Sequence, residues 1–169
     1  MAGTGRADGF STWAEQAQQR LYRQGVLLTG DPHSARDLVQ ATLVKMYLAW
    51  PRIDTPGAYA HRTMVRTFLE GRRREQRERE LHRAVDVRPS DTDHAHALTV
   101  RAALAELAPR MRAVVVLRYW EDLSVEQTAA ALGCSTGNVK STASRGLDRL
   151  RVLLGDAFAE RVTTVTEET

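Results

Sequence analysis

Seven polar side chains at helical spacing carry the clearest chemistry in this sequence. Between residues 136 and 149, Thr136, Asn138, Lys140, Ser141, Ser144, Arg145 and Arg149 share an outward side, while Val139, Ala143 and Leu147 share the inward one. A helix fits the major groove of duplex DNA, and polar tips of this kind reach phosphates and base edges. Other chemistry finds no support. The sequence has no Gly-rich phosphate loop, no metal-ligand spacing and no paired carboxylates in a defined setting. The single cysteine, Cys134, has no base at a recognisable spacing and reads as a small apolar plug in a turn. His94 and His96 stand beside Asp91 and Asp93 without a third fixed ligand. No metal, no cofactor and no catalysis are therefore expected.

The elements that must hold that polar face are a pair of crossing helices. Residues 124–147, SVEQTAAALGCSTGNVKSTASRGL, read as a helix-turn-helix. Ser124 and Gln127 form a capping box. Ala129 and Ala130 are the small residues expected where the helices touch, and Gly133 sits where the turn needs a positive φ. Val125 and Leu132 join Val139, Ala143 and Leu147 on the inward face.

The rest of the chain is helical too. Of its 169 residues 43% are hydrophobic and 27% charged, enough apolar content for one ordinary domain or two small ones. No alternating apolar run or Asn-Gly hairpin signals a strand. Trp13, Ala17, Leu21, Val26 and Leu28 fall near helical spacing, and Gly30 stops them. Asp31-Pro32 caps a second helix reaching about Trp50, and Thr55-Pro56 restarts the chain by the same logic. Ala60, Met64, Val65, Phe68 and Leu69 then make an apolar stripe leading into an arginine-rich tract. Residues 66–83 hold seven arginines against four glutamates, and Glu70–Arg74 and Glu75–Arg79 are spaced as i,i+4 pairs. Residues 75–96 read as a linker between helical units at 10–74 and 97–155, with 156–169 as a frayed tail. The expected class is all-α, two small helical domains on a flexible linker, the second containing the helix-turn-helix.

All but two of the 24 basic residues are arginine, the exceptions being Lys45 and Lys140, and the net charge is +3. The planar guanidinium suits phosphate and base edges, although position, not number, decides its use. No apolar run reaches the length of a membrane span, and the first residues, MAGTGRADG, lack a signal-peptide core. A cytoplasmic protein without membrane contact is expected.

Two segments in this order, YRQGVLLTGDPHSARDLVQATLVKMYLAW and LAPRMRAVVVLRYWEDLSVEQTAAALGCSTGNVKSTASRGLDRLR, resemble the extracytoplasmic-function sigma factors of bacterial RNA polymerase. The VVVLRYWEDLS pattern is similar to a small actinobacterial-type subgroup. The resemblance implies a promoter-specificity subunit with no chemistry of its own. Its partners would be the polymerase core, through the largest-subunit clamp helices and the flap, promoter DNA, and an anti-sigma protein where one exists.

The resemblance also assigns residues. The DLVQ segment would dock on the clamp, with Asp37, Leu38, Gln40 and Lys45 as its candidates; the family often carries an acidic residue where this chain has Ala41. The loop from Pro51 to Gly57 and the helix after it would hold the melted −10 strand. Arg52, Ile53 and Asp54 would shape a base pocket, Trp50 and Tyr59 are the nearest aromatics, and His61, Arg62, Arg66 and Arg73 would follow phosphates. Many members have an Asn near the middle of that helix, where this chain has Arg66-Thr67, so −10 base preference does not carry over. The −35 duplex would be read by the 136–149 face together with Thr142, a position where a long donor is common. The rival reading is an autonomous helix-turn-helix regulator that binds duplex DNA as a dimer.

Overall fold

The computed structural model describes residues 4–82 and 100–155, and every regular element among them is helical. The order is α1 (Thr4–Thr29), α2 (Pro32–Ala49), a 3-10 turn (Trp50–Arg52), α3 (Pro56–Leu81), α4 (Val100–Ala105), α5 (Pro109–Tyr119), α6 (Val125–Leu132) and α7 (Thr136–Leu154). The class is all-α, as expected, with α1–α3 and α4–α7 as its two domains.

Local chemistry sets most helix ends. Gly30 takes φ +84° between α1 and α2. Asp31 then caps α2, its Oδ1 accepting from the amides of His33 at 2.9 Å and Ser34 at 3.3 Å. Hydrogen bonds, led by one from the Ser34 side chain, hold the Asp31 carboxyl below its ordinary pKa. Thr55 departs from the expected pattern. It stands at the N-cap of α3 but makes no side-chain cap bond, so Pro56 alone presets the first turn. The box on α6 is complete: Ser124 Oγ accepts from the Gln127 amide at 3.1 Å, and Gln127 Oε1 accepts from the Ser124 amide at 2.8 Å.

Helix α3 runs on to Leu81, past the expected start of the linker at residue 75. Arg72–Glu75 at 2.9 Å, Arg74–Glu78 at 3.3 Å and Arg79–Glu75 at 4.0 Å lace its solvated end. Glu70 does not pair with Arg74 but turns to Lys45 on α2, at 3.5 Å. The remainder of the expected linker with His94 and His96, and the tail from residue 156, lie outside the described residues.

The first domain closes around Leu21, Leu28, Met46, Met64 and Val65, all at 0% exposure. The second closes around Leu104, Leu117, Val139 and Leu150. Between them the middle of α5 is apolar all round: Ala113, Val114, Val115, Val116 and Leu117 are each wholly buried. It packs on α6 and α7 within its own domain and on α1 and α3 of the first, so the two cores are continuous. Inside the helix-turn-helix, Gly133 takes the expected left-handed turn at φ +62°. The small contact residues are Ala129 and Ala131, however, while Ala130 points outward. Gly146 is a further close approach: a Cβ there would stand 2.5 Å from Val115 Cγ2 and 3.2 Å from Met111 Cγ.

Candidate nucleic-acid interface

Ser135 caps α7 by accepting from the Asn138 amide at 3.2 Å. The helix then presents Thr136, Asn138, Lys140, Ser141, Ser144, Arg145 and Arg149 to solvent. Thr142 does not join them. It is 7% exposed, on the buried stripe with Val139, Ala143, Gly146 and Leu150, and its hydroxyl lies 3.4 Å from Asn138 Oδ1. Thr142 supports the packing of this helix; it does not reach outward.

The loop after α2 is braced by aromatic rings. Trp50 is half-buried, edge-on to Phe10 at 5.3 Å and tilted against Trp13 at 5.7 Å. Arg52 and Asp54 are exposed, and Ile53 is half-buried. With Thr55, Tyr59 and Arg62 they line one wall of a cleft of about 410 Å³. Leu123, Gln127, Ala130 and Ala131, from the α6 region, form its other wall. The Arg62 guanidinium lies over the Tyr59 ring at 5.2 Å, a pair of the kind that stacks on unpaired bases.

The basic residues of α3 are not one row. Arg62 and Arg66 border a second pocket beside Tyr59, whereas Arg73 lines a separate arginine-rich cleft with Arg72, Arg110 and Arg112. His61 is 5% exposed and follows no phosphate here. Its Nδ1 is 3.1 Å from Gln24 Oε1, and its Nε2 is 3.8 Å from Glu121 of the second domain. Burial, and secondarily the charge of Arg20, lowers the His61 pKa to about 4. Burial also raises that of Glu121, opposed by Arg20. The sequence places His61 on the basic side of its helix; Glu121, in the turn after α5, covers this one residue while Arg62, Arg66 and Arg73 stay exposed.

A larger groove, about 900 Å³, runs between α1 and α2. Its walls include Phe10, Tyr22, Val39 and Leu43, with Val44, Tyr47 and Leu48 exposed at 53%, 49% and 72%. Gln40 stands among them. Asp37 is exposed and holds His33 Nδ1 at 3.4 Å. Leu38, at 7% exposure, belongs to the core. Lys45 leaves this group: its Nζ donates to Thr67 Oγ1 at 2.9 Å and borders the pocket of Tyr59, Arg62 and Arg66. Val44 and Leu48 are not singled out by the sequence, and Tyr47, which helical spacing turns toward the core beside Met46, is exposed instead; yet a signal was present. The apolar positions of α2 extend past the core stripe of 35, 38, 39, 42 and 46 to 43, 44, 47 and 48, more than one buried face requires.

Among the described residues no group of three His, Cys, Asp or Glu side chains is placed to hold a metal ion. None of the described helices is long and apolar enough to cross a membrane.

Comparison with known proteins bears on the whole arrangement. Residues 13–78 match the family described as Sigma-70 region 2, and residues 97–150 match Sigma-70, region 4. The RNA polymerase sigma-E factor of Streptomyces avermitilis is 40% identical over 148 residues, covering 84% of this chain and 83% of that protein. The ECF RNA polymerase sigma factor SigE of Mycolicibacterium smegmatis is 33% identical over 93% of this chain and 67% of its own length. In fold, the sigma factor RpoE of Bartonella quintana, solved in complex with the anti-sigma factor NepR, superposes with a TM-score of 0.73. That match covers 88% of this chain and 98% of the other at 24% identity. CnrH, solved with the cytosolic domain of CnrY, matches with a TM-score of 0.62 over 90% of both chains at 24% identity.

Proposed function

We propose that the chain, which belongs to the Sigma-70 family and within it to the extracytoplasmic-function sigma factors of RNA polymerase, divides promoter recognition between its two domains. Members of this family direct promoter-specific initiation as polymerase subunits. In the division proposed here, the α1–α2 groove seats the clamp helices of the largest polymerase subunit. Gln40 and Asp37 supply polar contacts, and Val44, Tyr47 and Leu48 supply apolar area. The 50–59 loop and α3 take the melted −10 strand: Ile53 and Asp54 shape the pocket, Tyr59 and Arg62 stack, and Lys45 and Arg66 follow the backbone. The outward face of α7 reads the −35 duplex, with Lys140, Ser141 and Arg145 nearest the bases. The protein performs no chemistry itself and works in the cytoplasm, where polymerase is. An anti-sigma protein, such as the one that RpoE of Bartonella quintana is solved with, is its expected regulator.

One observation carries this reading: a wide apolar groove lies open on the same chain as a helix-turn-helix whose polar face is free. Exposed apolar surface of that extent marks a docking site. Run-off transcription with core polymerase, with and without the chain, tests it. Promoter-specific transcripts are expected only with the chain, and Arg145→Ala should weaken −35 recognition by about 1–3 kcal/mol. Tight binding to an inverted-repeat duplex without polymerase, and no association with core, would instead establish the autonomous regulator.

A further inference from the structure

The arginine-rich cleft that holds Arg73 serves neither reading surface. It lies between α3 and the start of α5, measures about 510 Å³, and shares no lining residue with the cleft of Ile53 and Asp54 or the pocket beside Tyr59. Arg72, Arg73, Arg79, Arg110 and Arg112 line it, against one carboxylate, Glu75. Positions 69, 72, 73, 76 and 79 share one face of α3, which gathers the charge on a single side.

Only part of this charge has structural work. Arg112 donates to the Leu28, Ala105 and Leu107 carbonyls, and Arg72 to that of Thr29. Glu75 is shared between Arg72 at 2.9 Å and Arg79 at 4.0 Å. Among the described residues Arg73 and Arg110 make no ion pair. The crowding is felt at Arg112, whose pKa falls to about 10 through burial first and the charge of Arg72 second, with Glu106 opposing. Helix α5 adds its positive end. The N-cap residue Ala108 makes no side-chain cap bond and Pro109 has no N–H, so the first-turn amides of Arg110 and Met111 lack an intrahelical or capping acceptor. Ala108, Pro109 and Arg110 all line the cleft. Such a helix start favours an anion.

We propose that this cleft binds a small anion with two or more adjacent phosphates, the chemistry shared by nucleoside polyphosphates and short inorganic phosphate chains. Arg73 on α3 and Arg110 on α5 supply cations from two helices, and the α5 amides add donors. Guanidinium forks take phosphate oxygens in pairs. The volume falls within the range of small-molecule sites. A compact anion suits converging cations better than a nucleic-acid strand, which spreads single charges along its length. Leu69, Ala105 and Pro109 leave an apolar wall beside the charge.

Calorimetric titration of the full chain in metal-free buffer tests this, with sodium tripolyphosphate and ATP as probes and sulfate at matched ionic strength as the blank. Saturable binding of at least one probe is expected. Arg73→Gln and Arg110→Gln should each weaken it about tenfold, the loss of one charge-assisted hydrogen bond. Arg74→Gln removes a charge of the same helix that pairs with Glu78 outside the cleft, and should leave binding unchanged. Tighter binding of ATP would support the site with nucleotides as its source, and tighter binding of tripolyphosphate would support it with phosphate chains. Heats no larger than the sulfate blank would overturn the proposal. An equal loss in Arg74→Gln would reduce the effect to general charge and overturn it too, and a loss in only one of the two cleft variants would refute a site shared by α3 and α5. A fluorescent single strand whose binding needs Arg73 and Arg110, with neither probe bound, would replace the small anion by a nucleic-acid backbone.

Discussion

Two glycines of α7 should respond to alanine with opposite signs. A helical glycine ordinarily gains about 1 kcal/mol on replacement, because the unfolded chain loses freedom and the helix loses none. At Gly137 a Cβ would meet nothing within 4 Å, so Gly137→Ala should be neutral or stabilising, by about 0.5 kcal/mol in a first turn. At Gly146 the new methyl would stand 2.5 Å from Val115 Cγ2, well inside contact distance, with Met111 Cγ at 3.2 Å behind it. Val115 is wholly buried, so it has no free space into which to swing. Overpacking of this kind costs about 1–3 kcal/mol, and after the propensity gain a net loss of about 1–2 kcal/mol remains. In a chain of this length that corresponds to a fall in Tm of about 2–8 °C. Thermal denaturation followed by far-UV circular dichroism resolves both signs. A Gly146→Ala variant as stable as Gly137→Ala would refute the close crossing of α5 and α7, and with it the register that turns Arg145 outward.

Other expectations follow from single contacts. Ser124→Ala removes one half of the capping box and should cost about 1 kcal/mol in urea denaturation. Leu48→Glu alters a side chain that is 72% exposed, so melting should not change, while association with core polymerase in a pulldown titration should fall at least tenfold. An unchanged affinity would take the groove out of the docking surface. The pH dependence of the closed body has a definite sign at His61, which faces Gln24, Arg20 and Glu121. Its pKa falls from 6.5 to about 4 on burial. The contribution of neutral His61 is therefore whole above pH 6.5 and is lost as pH falls toward 4. Glu121, shifted upward, acts oppositely: its contribution is whole below its ordinary value near 4.5 and is lost as pH rises through the raised one. Comparing the parent with His61→Gln in urea at pH 7 and pH 5 isolates the histidine. The parent should lose up to about 2 kcal/mol more than the variant over that span. Equal losses would place His61 in water.

Legibility differs along the chain for physical reasons. Helix ends were readable where the cap is local, as at Asp31 and at the Ser124–Gln127 box, because the partners lie within three residues. The polar face of α7 was readable because its inner stripe is regular. Errors fell where a side chain answers to a distant element. Lys45 was grouped with Gln40 by proximity in sequence, but 22 residues on, Thr67 draws it to α3. Leu38 and Thr142 lie at the margins of apolar stripes, where neighbouring helices decide burial. His61 reads as basic and solvated until the second domain covers it. One signal for that cover was available: AVVVL in α5 has no polar residue in five, which a helix packed on one side does not need.

That apolar run and the polar pair beside it divide the work of the domain contact. The part of buried α5 that packs on α1 and α3 supplies the drive to close, since each apolar side chain fully removed from water contributes about 1.5–3 kcal/mol. The His61–Glu121 pair works against that drive. Both groups leave water, and their shifted pKa values record the cost, so the pair adds little net attraction. Its effect is to make the contact reversible. On opening, apolar area is lost, but an acid and a base regain hydration. An apolar pair at these two positions would close the domains more tightly. His61→Leu with Glu121→Leu should therefore strengthen the closed form and weaken run-off transcription together. A double variant that closes more tightly and still transcribes at the parent rate would separate the contact from promoter opening altogether.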